Sequence, residues 1–258
     1  MSVTQTSTTY ESEQLRAVTG PAIRPGGLML TGRAMEFCQF PTEARLLDVG
    51  CSSGATVEYL RNHYRLAISG VDISSILLSE GKSRDTSMPL LRARAEHLPY
   101  GNGTLDGILC ECVLSLLPDP GLVLREFHRS LRPDGKLILS DMYLRGEGKD
   151  YSLREEAVDG CLKGARSVCF TETMLGEAGF AILLWEDHTP LLKELAARLV
   201  LADGSMDALW GGIKAAVCSG IGLSTMAALR PGYYLLVARK EQKGAVAYGP
   251  DHAADDGA

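Results

Sequence analysis

Nowhere in the 258 residues does an apolar run approach the roughly 18 residues that a helical membrane span requires. The opening stretch, MSVTQTSTTYESEQ, also lacks the basic and apolar regions of a secretion signal, so the expectation is a cytoplasmic protein without membrane contact. Positive charge is in deficit too. Lys and Arg number 26 against 32 Asp and Glu, a net charge of −6, and no local basic patch offsets it. Such a surface repels phosphate backbones, which argues against a nucleic-acid partner. Disulfide-framework spacing is absent: the seven cysteines (38, 51, 110, 112, 161, 169 and 218) are odd in number and are expected to be reduced. Most of them read as small buried hydrophobes. No internal repeat is found, and 45% hydrophobic with 22% charged residues excludes a disordered or fibrous chain.

What is present is an alternation of short apolar runs and helical stretches. Residues 1–25 read as a polar arm, followed by an amphipathic helix from Leu28 to Phe40. Strands are expected at Leu46 to Val49, Leu66 to Val71, Leu90 to Ala93, Gly107 to Cys112 and Lys136 to Ser140. Helices at Ala55 to His63, Ser74 to Lys82 and Gly121 to Leu131 separate them. That order implies an α/β fold in which a doubly wound, parallel, Rossmann-like sheet is covered on both faces. Residues 145–169 break the pattern with Gly146, Gly148, Gly160 and Gly164 and read as a lid. A helix from Thr171 to Ala178 and a strand from Ala181 to Trp185 follow. Thr189-Pro190 is read as an N-cap with proline at the first helical position, opening a helical insertion over residues 189–229 with helices at Leu191 to Leu201 and Met206 to Cys218. The last strand is Tyr233 to Ala238, and residues 241–258 read as a disordered tail.

The chemistry concentrates at the strand ends. In RLLDVGCSSGATVEYL an acid, Asp48, ends a strand and a turn from Gly50 through Cys51 to Gly54 leads into a helix. Glycines let a ligand approach the backbone there, and the helix start offers free N–H groups. A plain strand-to-helix turn would look similar. Asp72 ends the next strand, placed to accept from two ribose hydroxyls or to sit as a helix N-terminal acid. The dinucleotide pattern G-x-G-x-x-G is missing, because Ser52 and Ala55 occupy its second and third glycine positions.

Together DVGCSSG, VDIS, ARAEHLPYGNGTLDGILCECVLSLLPD and LRPDGKLILSD resemble the serial motifs of class I S-adenosylmethionine-dependent methyltransferases. The resemblance covers residues 26–240 as one methyltransferase domain. It implies a seven-stranded sheet, six strands parallel and Tyr233 to Ala238 antiparallel, with S-adenosylmethionine as cofactor and S-adenosylhomocysteine as product. Carried over by position, Asp48, Gly50, Cys51 and Gly54 form the loop under the methionine part and Asp72 holds the ribose. Ile73, Ala95 and Glu96 flank the adenine, and Cys110 and Glu111 stand beside the methionine moiety. Ser52, where glycine is usual, and Arg94, where an acid is common, depart from the pattern.

A narrower likeness links ILCECVLSLLPDP and Gly160-Cys161-Leu162-Lys163-Gly164-Ala165 to arsenite methyltransferases. It implies As(III)-binding thiols, here Cys161, Cys169 and Cys218, although the N-terminal cysteine pair of that family is absent. No resident metal is expected, since His97 and His128 have no ligand-spaced partners. The catalytic candidates are Glu111 and Asp141 at strand ends, His188 as a proton carrier and Cys161 in the lid. The expected activity is methyl transfer to a small-molecule acceptor by in-line displacement, with the lid and insertion forming the acceptor pocket. The alternatives are a thiol-bound metalloid acceptor and, from another class, a non-catalytic nucleoside-binding or scaffold protein. The insertion's apolar face, Leu191, Leu192, Leu195 and Leu199, alternatively marks a homodimer contact.

Overall fold

The computed structural model describes residues 19–20, 22–145, 162, 164–203 and 230–242. In chain order these form α1 (Leu28–Cys38), β1 (Arg45–Val49), α2 (Ala55–Tyr64), β2 (Ala67–Asp72), α3 (Ser75–Arg84), β3 (Leu90–Arg92) and β4 (Leu105–Glu111). A 3-10 turn (Leu114–Leu116), α4 (Pro120–Ser130), β5 (Leu131–Leu144), β6 (Arg166–Ser167), α5 (Val168–Glu177), β7 (Phe180–Asp187), α6 (Thr189–Asp203) and β8 (Pro231–Lys240) follow.

The sheet runs β3-β2-β1-β4-β5-β8-β7, with the two-residue β6 pairing to β5 off this path. β1, β2, β3, β4 and β5 pair in parallel, and β8 is antiparallel to both β5 and β7. Six parallel strands and one antiparallel strand therefore make the main path, as the motif order implies. β1 ends centrally, and its neighbours β2 and β4 leave on opposite sides, so the strand order reverses there. In open α/β sheets that switch point leaves a crevice beyond the strand carboxyl ends.

Apolar side chains of period two explain why both faces are covered. Leu47, Ile108, Cys110, Leu137 and Leu139 pack on one face with Val123, Leu124 and Phe127 of α4 and Leu175 of α5. Their alternates Leu46, Leu109 and Ile138 pack on the other with Ala34, Met35 and Cys38 of α1, and with Val57 and Leu60 of α2. Cys38 is thus core, and burial pushes its thiol up to about 11.

Three boundaries differ from the sequence reading. The turn Arg132-Pro133-Asp134-Gly135 is absorbed as a bulge within β5, where the register against β4 jumps and Asp134 takes φ +61°. α5 begins at Val168, not Thr171, because the Ser167 hydroxyl accepts from Phe170 N–H and caps it. α6 begins at Thr189 itself, whose N–H is taken by Asp187 Oδ1 at 2.8 Å. Of the expected lid, Gly146 to Cys161 and Lys163 lie outside the described residues, as do the helix at Met206 to Cys218, the arm before residue 19 and the tail after residue 242. Among the described residues no helix is long and apolar enough to cross a membrane.

Candidate cofactor site

The crevice at the switch point is a cavity of about 210 Å³. Its floor is the loop after β1, where Gly50 and Gly54 take φ +76° and +86° and Ser52 takes φ +51°. A Cβ on Gly50 would stand 2.2 Å from Val113 Cγ2, so glycine is required by close approach as well as by dihedral. The loop is fixed from beneath: Gly50 and Cys51 N–H both donate to Val71 O, at 2.8 and 3.1 Å. Asp72 splints it from the side. Its Oδ2 accepts from Ser52 N–H and its Oδ1 from Ser74 N–H, each at 2.8 Å, so this acid is both a loop clamp and a lining residue.

Toward β3 the cleft is lined by Ile73, Ala95 and Glu96. Ile73 is 41% exposed, a large apolar side chain at the rim. Arg94 reaches across to Glu96 Oε1 at 3.0 Å. Toward β4 the lining changes to charge. Glu111, at the end of β4, is buried, and its carboxylate meets Arg24 Nη2 at 2.8 Å and Thr31 Oγ1 at 3.0 Å. Asp48 is buried beside this pair and makes no side-chain hydrogen bond to any described residue. Burial, reinforced by the Glu111 and Asp72 carboxylates and opposed by Arg24, pushes its carboxyl up to about 8. Burial pulls the Arg24 guanidinium down, but the facing carboxylates, led by Glu111, leave it net raised.

Of the residues singled out in the sequence, Asp48, Gly50, Cys51, Asp72, Ile73, Ala95, Glu96 and Glu111 line this one cleft. Gly54 does not, and shapes the loop from behind, where its Cβ would stand 2.5 Å from Met88 Sδ. Cys110 is fully buried in the core under α4, since alternation along β4 turns it away from the cleft. Cys112, held at φ +57°, joins Cys51 in the cleft lining, with its Sγ 3.0 Å from the Tyr233 hydroxyl.

Two catalytic candidates stand elsewhere. Asp141 accepts from Ser115 N–H at 2.9 Å, Ser115 Oγ at 2.6 Å and Met142 N–H at 2.7 Å, pinning the 3-10 turn to β5. It lines a separate small hollow beside Arg166, with burial pushing its carboxyl up to about 6 against the Ser115 hydrogen bonds. His188 lies 3.0 Å from Glu186, itself paired to Arg33 of α1 at 2.6 Å, and does not line the cleft. Cys169 is exposed on the first turn of α5, while Cys161 and Cys218 lie outside the described residues. Among the described residues no three His, Cys, Asp or Glu side chains group to hold a metal.

Arg24, Thr31, Thr56 and Cys112 escaped the sequence reading. Arg24 fell within the polar arm of residues 1–25, where no periodicity or motif singled it out.

Residues 47–139 match the family described as a methyltransferase domain. Over that stretch, from β1 into β5, the chain is similar to a methyltransferase domain. The chain is 27% identical over 193 residues to phosphoethanolamine N-methyltransferase of Triticum aestivum, covering 72% of this chain and 37% of that relative. Curated relatives are spanned over only 30–53% of their own length. Among solved structures, the Haemonchus contortus phosphoethanolamine N-methyltransferase 2 in complex with S-adenosyl-L-methionine superposes with a TM-score of 0.72 at 19% identity, over 92% of this chain and 57% of that one. The [4+2]-cyclase SpnF superposes with a TM-score of 0.68 at 21% identity, over 92% and 95%. At these identities the structural likenesses establish the fold.

Proposed function

We propose that this chain binds S-adenosylmethionine in the switch-point cleft and transfers its methyl group to a small-molecule acceptor. The observation that carries this reading is convergence. Residues from four separate motifs, Asp48 and Gly50, Asp72 and Ile73, Ala95 and Glu96, and Glu111, line one cavity at the carboxyl edge of the sheet. Each has a matching task. Asp72 stands where two ribose hydroxyls can donate to it, and Ile73 and Ala95 offer apolar walls to a purine. Asp48 and Glu111 put carboxylates where an ammonium and a sulfonium need them. When bound, the cofactor supplies an electrophilic methyl on a sulfonium.

In-line displacement then asks the protein mainly to align the acceptor with that methyl and to exclude water. The cleft is apolar over Val113, Leu116 and Leu117 on the β4 side, which serves that purpose. The wheat relative is named for a phosphorylated amine, and a neutral amine acceptor needs no strong base at the site. One fold neighbour is named as a cyclase, so the fold alone does not decide for methyl transfer.

The test is release of S-adenosylhomocysteine from S-adenosylmethionine with a panel of amine, hydroxyl, carbon-acid and arsenite-plus-thiol acceptors. Acceptor-dependent release, abolished by heat denaturation, is expected for one class. Saturable cofactor binding with no turnover on any class, or in cell extract, contradicts methyl transfer and favours a binding protein that keeps the fold.

A further inference from the structure

Cys112 and Tyr233 form a titratable pair in the cleft wall to which the cofactor reading gives no task. Cys112 follows the end of β4 in a left-handed backbone conformation, φ +57°, which is costly for any residue but glycine and gathers at functional sites. Its N–H donates to Ser140 O at 2.7 Å, and its Sγ lies 3.0 Å from the Tyr233 hydroxyl. That hydroxyl donates to Ser140 Oγ at 3.2 Å. Tyr233 and Ser140 are fully buried, whereas Cys112 is partly exposed and lines the cleft. Hydroxyl hydrogens rotate, so the row Ser140–Tyr233–Cys112 can direct a donor toward the sulfur or away from it. It therefore suits a thiolate as well as a thiol. Burial, with Cys112 adding to it, pushes the Tyr233 phenol well up, so Tyr233 keeps the proton it donates.

Location narrows the task. Ile73, Ala95 and Glu96 wall the cleft toward β3, and Cys112 stands on the β4 side, next to Glu111, whose charge is met by Arg24 at 2.8 Å. Arg24 is also within electrostatic reach of the sulfur. Cys112 and Leu116 line the cleft and at the same time pack against an apolar cluster that includes Leu30, Met142, Leu162 and Tyr233. On the cofactor reading the adenine fills the β3 side and the methyl falls on the β4 side. An acceptor then meets the methyl along the wall that contains Cys112.

Resting on the cofactor reading above, we propose that Cys112 is the catalytic residue that takes the proton from the acceptor, with Tyr233 as the positioning residue that supports its sulfur. The acceptor class follows: an ammonium or a hydroxyl, whose attacked atom must lose a proton, and not an arsenic lone pair, which needs no base. The Cys112 thiolate removes the N–H or O–H proton and becomes a thiol. The freed lone pair forms the bond to the methyl carbon, and the methyl–sulfonium bond breaks with its electron pair left on S-adenosylhomocysteine. Cys112 then returns its proton to solvent in the cleft.

The experiment takes two readouts on the full chain. The first needs no acceptor: mass spectrometry follows alkylation by iodoacetamide at about pH 7.5, where the thiolate is the reactive form, with the exposed Cys169 of the same molecule as the ordinary thiol. Cys112 is expected to react about 3- to 10-fold faster than Cys169 although it is less exposed, and to be protected by S-adenosylhomocysteine. In a folded Tyr233→Phe its rate is expected to fall to that of Cys169 or below. A Cys112 no faster than Cys169 in the wild type, unprotected by S-adenosylhomocysteine, or equally fast in Tyr233→Phe overturns the proposal. The second readout is release of S-adenosylhomocysteine with amine, hydroxyl and arsenite-plus-thiol acceptors. Cys112→Ala and Cys112→Ser are expected to lower kcat by about 100-fold or more while the Kd for S-adenosylmethionine stays within about threefold. Turnover close to wild type in either folded variant, or wild-type turnover with arsenite plus thiol alone, overturns the proposal. A folded wild type that binds the cofactor but turns over no acceptor overturns the methyl-transfer reading, and this inference with it.

Discussion

Asp48→Asn is expected to make the protein more stable at pH 8 and worse at binding its cofactor. Burial, with the Glu111 and Asp72 carboxylates adding to it, raises the Asp48 carboxyl from 3.8 to about 8. In the unfolded chain the same group ionises near its ordinary value, so between roughly pH 4 and pH 8 the native state holds the extra proton. The sign is that of a raised acid: native stability falls as pH climbs through this window, and the full cost is present above it. Asparagine removes the charge at nearly the same shape. At pH 8 we expect a gain of about 2 kcal/mol, or about 4–8 °C in Tm, and at pH 5 much less.

Cofactor affinity moves the other way. Without the carboxylate, S-adenosylmethionine binding weakens by about 10- to 100-fold. In the wild type the incoming ammonium and sulfonium pull the Asp48 pKa down, so binding below pH 8 releases a proton and affinity rises with pH. Thermal scans at pH 5 and pH 8, and calorimetry in buffers of different ionisation enthalpy, check both halves. Unchanged Tm at pH 8 together with unchanged affinity contradicts the account.

Asp72→Ala is expected to produce the largest loss of binding. This carboxylate supplies the acceptor for Ser52 N–H in the glycine loop and for Ser74 N–H before α3, and also lines the cleft. Its removal takes away the ribose partner and frees the loop together, so the affinity for S-adenosylmethionine falls by at least about 100-fold. Loss of two acceptors costs about 1–3 kcal/mol of stability as well, since the N–H groups lose their charge-assisted bonds. Asp72→Asn separates the two effects, because one oxygen still accepts while the charge is gone. It is expected to restore most of the Tm and little of the binding, measured by thermal scan and equilibrium dialysis. Wild-type affinity in Asp72→Ala removes this residue from the site.

The α/β architecture was legible because short apolar runs with helical spacers admit few alternatives, and the ends of β1 and β2 carried recognisable acids. What escaped was set by contacts between distant parts of the chain. Cys110 and Cys112 are two residues apart, which strand alternation alone would put on one face, and only the left-handed backbone of Cys112 just past the end of β4 turns its sulfur to the cleft while Cys110 packs under α4. Asp141 was legible as an acid at the edge, but its burial against Ser115 depends on the path of the turn after β4. Arg24 gave no periodic signal, because its partner Glu111 comes from the end of β4. Ser167 shifted the start of α5 through a single cap.

Equilibrium dialysis of the folded full chain against S-adenosylmethionine is the most direct test of the central claim that the switch-point cleft is a cofactor site. The account predicts one saturable site per chain with a Kd between about 1 μM and 1 mM, the range of ordinary substrate affinities, and its loss in Asp72→Ala. No saturable uptake by the folded wild type up to about 1 mM, or uptake that survives unchanged in Asp72→Ala, contradicts it.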